Sequence, residues 1–115
     1  MIEWLIQIIA PRILANSVTA MVYMNVVLTV KDENDIDEIK ELMAEQSRLS
    51  KQEPGCEQFA VYHSHTDPRI FIINEHWASE EALEQHRQAK ACTEIYKPKV
   101  LPKVERVPHP ADIIG

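Results

Sequence analysis

The sequence predicts an α+β domain in ferredoxin-like βαββαβ order, closed sheet to sheet with a second copy as a dimeric α/β barrel. Three observations carry that expectation. Four short stretches have strand character, rich in β-branched and aromatic residues. Two longer stretches between them carry apolar residues at helical spacing. The strands are apolar on both faces, yet one helical layer covers only one of them.

The first strand is Met21–Val30, MVYMNVVLTV. Met24, Val26, Leu28 and Val30 point one way, and Tyr23 and Val27 the other. A helix follows, with Asn34 as N-cap and Asp35, Asp37 and Glu38 at the positive end of its dipole. Ile36, Ile39, Met43, Gln46 and Leu49 form its inner stripe, flanked by Leu42. Glu53-Pro54-Gly55 ends it, since proline cannot continue a helix and glycine accepts unusual dihedrals.

Cys56–His63 alternates as a second strand, Ser64–Pro68 is turn chemistry, and Arg69–Trp77 is a third strand pairing back as a hairpin. Ser79 caps a second helix with Ala82, Leu83, His86 and Ala89 inside, and Cys92, Ile95 and Tyr96 extend its apolar contacts as far as Lys97-Pro98. Pro102–Pro108 reads as a last, edge-like strand, because proline brackets it and charge interrupts it. The domain therefore spans residues 21–110, with 111–115 a tail.

Residues 1–20 differ in character. Trp4, Leu5, Ile8 and Ile9 recur at helical spacing before Pro11, which reads as an N-terminal arm or helix docking on the domain or a partner chain. Val18 and Ala20 resemble a small-residue cleavage site. Against a secretory signal stand Glu3 in place of a basic leader, and Gln7 and Pro11 in the apolar run. Met21 is an alternative start.

Composition removes several function classes. A formal charge of -6 with scattered Lys and Arg disfavours nucleic acid and anionic membranes. No apolar run is long enough to cross a membrane. With only two glycines, Gly55 and Gly115, no loop can cradle a phosphate or a dinucleotide. Two cysteines without a CxxC pair fit neither a zinc ribbon nor a disulfide framework, and point to a reduced, cytoplasmic setting. His63-x-His65 lacks a third ligand at useful spacing, so no metal is expected.

Residues Glu53–His86 combine an E-P-G-C turn, a strand ending in Tyr-His, a strand ending in Trp, and a Ser-capped helix with a histidine nine residues past that Trp. This pattern resembles the antibiotic-biosynthesis monooxygenase family, and within it the quinol-monooxygenase-like members. That family also holds polyketide-quinone-forming monooxygenases, haem-degrading oxygenases and an isomerase of a phosphorylated signalling molecule. The resemblance implies a homodimer acting on a small aromatic substrate and dioxygen without a cofactor. The deprotonated substrate itself passes an electron to oxygen, so the protein needs a dry pocket, a base and donors for the anion.

The match is uneven. Tyr62-His63 and Trp77 stand at family positions, but Ile73 stands where an asparagine is expected. Asn25 looks like the asparagine of the haem-degrading branch, whereas that branch's haem-ligating histidine falls at Tyr96 and its tryptophan at His86. Haem chemistry is therefore disfavoured.

His86, on the inner stripe, should face the sheet, where an imidazole is the natural proton acceptor for a phenol; a hydrogen-bonded core histidine is the plain alternative. His63 is a second candidate base, on the opposite side of its strand from Tyr62. Asn25, an amide in an apolar strand, needs a partner or a ligand. Tyr23, Tyr62, Trp77 and Tyr96 are candidate substrate contacts. The expectation is an enclosed chamber between helices and sheet into which Asn25 and His86 both project. Two other readings stay open: a proton-transfer isomerase of a small carbonyl metabolite, and a non-enzymatic binding or interaction module.

Overall fold

Alternation fixes the first strand. In β1 (Val22–Val30), Met24, Val26, Leu28 and Val30 are buried, and the residues between them are half-buried. The computed structural model describes residues 20–115, so the expected N-terminal arm lies outside the described residues apart from Ala20. β1 is followed by α1 (Ile36–Ser50), β2 (Cys56–His63), β3 (Ile70–Trp77), α2 (Glu80–Gln88), α3 (Ala91–Val100) and β4 (Val104–Ala111). The sheet order is β2-β3-β1-β4, with every neighbouring pair antiparallel, which is the ferredoxin-like arrangement.

Register assigns each strand residue to a face. Met24 pairs with Glu75 and Val26 with Ile73, so Phe71, Ile73, Glu75 and Trp77 share the helix-covered face with the buried half of β1. A bulge between Cys56 and Gln58 brings Phe59 opposite Glu75 on that same face. Leu28, Val30, Ile39, Met43, Trp77 and Val100 are 0% exposed between the layers. Each such side chain is worth about 1.5–3 kcal/mol of transfer free energy. The opposite face carries Tyr23, Asn25, Val27, Ile72, Asn74 and His76, with Tyr62 and Val107 exposed at 55% and 51%.

Three boundaries differ from the sequence expectation. Asn34 does not cap α1: Asp32 accepts from the Asn34 amide at the head of a 3-10 turn (Glu33–Asp35), and α1 starts one residue later. The second helix is not continuous. It stops at Ala89, whose backbone is extended, and α3 resumes as a wider π-type helix that runs through Pro98. The break rotates Ala91, Cys92, Ile95 and Tyr96 into the core, where an unbroken 3.6-residue repeat would not hold all four. β4 reaches Ala111, beyond Pro108, because an edge strand tolerates proline where the N–H position points away from its neighbour.

Candidate active site

His86 lies on the inward side of α2, 5% exposed, between two aromatic rings. Its ring centroid is 4.4 Å from that of Trp77 and 5.7 Å from that of Phe59. Ser79 accepts from the Ala82 amide and so fixes where α2 begins. The phase of α2 then turns position 86 to the sheet.

Glu53 reaches this imidazole from the turn after α1, with Oε1 2.6 Å from Nδ1. The turn can approach so closely because Gly55 sits at φ +80, and a Cβ there would lie 2.5 Å from the Cβ of Ala82. With a carboxylate as acceptor, Nδ1 carries the proton, and in the neutral ring Nε2 holds the lone pair. Nε2 lies 3.3 Å from Cys92 Sγ and 4.0 Å from Glu75 Oε1. Burial, followed by Glu53 and Glu75, pushes the Cys92 thiol up from 9.0 to about 12, so it keeps its proton and can act only as a weak donor to Nε2. Glu75 is 7% exposed and accepts from Trp77 Nε1 at 2.8 Å.

These groups border a cavity of ≈ 210 Å³ between the helices and the sheet. Its inner wall is buried: Met24, Gln46, Glu75, His86, Cys92 and Tyr96. Its rim is the exposed trio Arg87, Lys97 and Arg106. Arg106 Nε donates to Tyr96 Oη at 2.9 Å, and burial raises the Tyr96 phenol above its usual range despite that guanidinium. The Gln46 side-chain oxygen is buried without a hydrogen-bond partner among the described residues. The wall therefore offers a base, a carboxylate, a side-chain amide and a phenol in a partly enclosed space.

The expected site residues divide into three groups. His86 and Tyr96 line the cavity, and Trp77 packs directly behind His86. Asn25, Tyr23 and Tyr62 lie on the opposite face of the sheet. The chamber shared by Asn25 and His86 is therefore corrected: Asn25 alternates with the buried Met24 and Val26, and its Oδ1 accepts from Asn74 Nδ2 at 2.7 Å. A separate hollow of ≈ 200 Å³ borders Asn25, Tyr23, Asn74 and His76. His63 shares the helix-side face but stacks on Phe71, ring centroids 4.2 Å apart, with Nε2 2.7 Å from Pro68 O. Phe71 and Trp77 are six residues apart on β3, so His63 is about 20 Å of strand from the His86 end.

Sequence reasoning missed Glu53, Glu75, Gln46, Cys92 and Arg106. Glu75 carried a readable signal, an acid in phase with Phe71, Ile73 and Trp77. Gln46 and Cys92 also sat on recognised inner stripes. Glu53 looked only like a helix stop, and the face of Arg106 depends on the pairing of Leu28 with Arg106. Among the described residues, no helix is long and apolar enough to cross a membrane, and no three His, Cys, Asp or Glu side chains are placed to hold a metal ion.

No curated protein matches the sequence. Solved structures do match the fold. A conserved Bacteroides thetaiotaomicron protein of unknown function, termed a possible oxidoreductase, is 23% identical with TM-score 0.76, over 83% of this chain and 99% of that one. PA3566 from Pseudomonas aeruginosa is 13% identical with TM-score 0.74, over 84% and 98%. SnoaB, a cofactor-independent oxygenase from Streptomyces nogalater, is 10% identical with TM-score 0.70, over 81% and 92%. At such identities the likeness speaks for the fold alone. The sequence profile for antibiotic biosynthesis monooxygenases matches residues 21–98, and the chain belongs to that family.

Proposed function

We propose that this protein is a cofactor-independent monooxygenase that takes a small hydroxylated aromatic, of the quinol class, into the cavity between helices and sheet. The observation that carries this reading is the orientation of His86: Glu53 holds Nδ1, and Nε2 borders the cavity. A phenolic hydroxyl arriving there displaces the weak thiol contact of Cys92 and gives its proton to Nε2. The phenolate passes one electron to dioxygen, and the resulting radical pair closes a carbon–oxygen bond. Loss of water from the peroxide then leaves a quinone. For a hydroquinone, one oxygen atom of the dioxygen stays on the ring and the other leaves as water with two of the substrate's hydrogens. The product is a hydroxyquinone, and the substrate supplies all the electrons, so no external reductant is consumed. Met24 and Leu83 give the cavity its apolar lining, Trp77 and Phe59 flank the His86 ring, and the Tyr96 hydroxyl offers a donor to the substrate anion.

The partner in this reading is a second copy. The face with Tyr23, Ile72, Tyr62 and Val107 carries exposed apolar side chains among polar ones and, among the described residues, no helix, which supports closure of the sheet against its twofold mate.

Oxygen uptake with a panel of monocyclic hydroquinones tests the reaction. The expected result is substrate-dependent uptake with one oxygen molecule consumed per quinone formed. No uptake above the buffer rate by the folded protein would overturn it. Turnover that persists without oxygen would instead support a proton-transfer isomerase.

A further inference from the structure

The cavity is polar in two different ways at its two ends. Beside His86 the inner wall presents two acceptors, Nε2 and the Glu75 carboxylate, with the Gln46 side-chain amide next to them. The rim is the reverse. Lys97 and Arg106 make no ion pair among the described residues, while Arg87 is held by Glu84 at 3.0 Å. Lys97 donates only to the Arg87 carbonyl, at 3.4 Å. Arg106 spends only Nε on Tyr96, and its terminal nitrogens have no partner among the described residues. Two cations without a direct ion pair among the described residues, at the mouth of one cavity, stand out in a chain of formal charge -6.

Size narrows the ligand further. An apolar cavity of about 150 Å³ accommodates benzene. A space of ≈ 210 Å³ therefore suits one aromatic ring with two or three small substituents.

We infer that the ligand is a monocyclic phenol or hydroquinone carrying an anionic group, a carboxylate in the simplest case. Its hydroxyls point inward to Gln46, Glu75 and His86, and its anion sits at the rim between Lys97 and Arg106. This rests on the oxygenase reading for the fate of the ligand, but its test does not require turnover.

The test is a calorimetric titration of the full chain in oxygen-free buffer, with 2,5-dihydroxybenzoate and the neutral 2,5-dihydroxybenzamide as probes. The expected result is about tenfold tighter binding of the carboxylate, in line with a charge-assisted contact, and an advantage that shrinks as salt is raised. Arg106→Gln and Lys97→Gln should each remove several-fold of the carboxylate's affinity and leave the amide within twofold. Gln46→Met should weaken both probes. Equal affinity for the two probes, a preference that survives both charge removals, or no binding of either would overturn the inference. Neutral hydroquinones consumed with oxygen uptake, but no carboxylate preference, would leave the oxygenase standing and sink only the ligand class. Carboxylate-selective binding with no oxygen uptake on admitting air would do the opposite.

Discussion

Replacing Glu53 by Gln changes one charge in the contact that orients the proposed base. The bond from Nδ1 is 2.6 Å long, between side chains 5% and 14% exposed, so water screens it little. A bond to a charged partner in such a place is worth about 1.5–3 kcal/mol, and a neutral one about 0.5–1.5. The difference, about 1 kcal/mol, lowers the melting temperature by about 4–8 °C in a domain of this size. The kinetic effect is larger. A glutamine amide can offer Nδ1 either its oxygen or its N–H, and the second choice moves the ring proton to Nε2, where it blocks the lone pair. General-base catalysis contributes about 10²–10⁴ in rate, so oxygen uptake should fall about a hundredfold with KM little changed. The assay is oxygen uptake on one hydroquinone, with circular dichroism as the control for folding. A Glu53→Gln protein that keeps the full rate would refute the argument that Glu53 sets the state of His86.

Gly55→Ala should destabilise by about 2–4 kcal/mol, from the left-handed backbone and from a Cβ placed 2.5 Å from Ala82, and should lower turnover by displacing Glu53; chemical denaturation and oxygen uptake read both. Burial pushes Cys56 up to about 11 and Cys92 up to about 12, from 9.0 for both, so the folded chain binds more protons than the unfolded one above pH 9. That stability is fully present below pH 9 and declines as pH rises toward 12, and Cys92→Ala should flatten the fall in a series of thermal melts. Ile72→Glu puts a charge on the sheet face that no helix covers among the described residues; if the proposed twofold pairing holds, light scattering should find the parent as dimer and the variant as monomer, with unchanged circular dichroism.

Much of the fold was legible because its periodicities are clean. Met24, Val26, Leu28 and Val30 alternate without a break, and Ile39, Met43 and Gln46 hold one side of α1. The inward aim of His86 followed from the same arithmetic. What failed was in part misread parity and phase, and in part contacts that local pattern does not encode. The extended residue at Ala89 and the wide turn through Pro98 answer to packing of Cys92, Ile95 and Tyr96, and reading them as a continuation of the second helix overlooked that an unbroken repeat turns them away from the His86 stripe. The expectation for Asn25 overlooked its own strand parity, which sends it to the other face; the register with Asn74 makes that plain. The carboxylate that orients the proposed base comes from a turn 33 positions before the histidine it holds. No helical or strand repeat links Glu53 to His86, and only the close approach allowed by Gly55 does.

Side-chain imidazole resonances, followed while 2,5-dihydroxybenzoate is added without oxygen, put the location of the chemistry to the most direct test. His86 borders the cavity between helices and sheet, whereas His76 packs edge-on to Tyr23, ring centroids 4.8 Å apart, beside the hollow on the other face. The His86 nitrogens should shift with ligand while those of His76 stay in place. Movement of His76 with His86 unchanged would carry the site across the sheet and contradict the assignment.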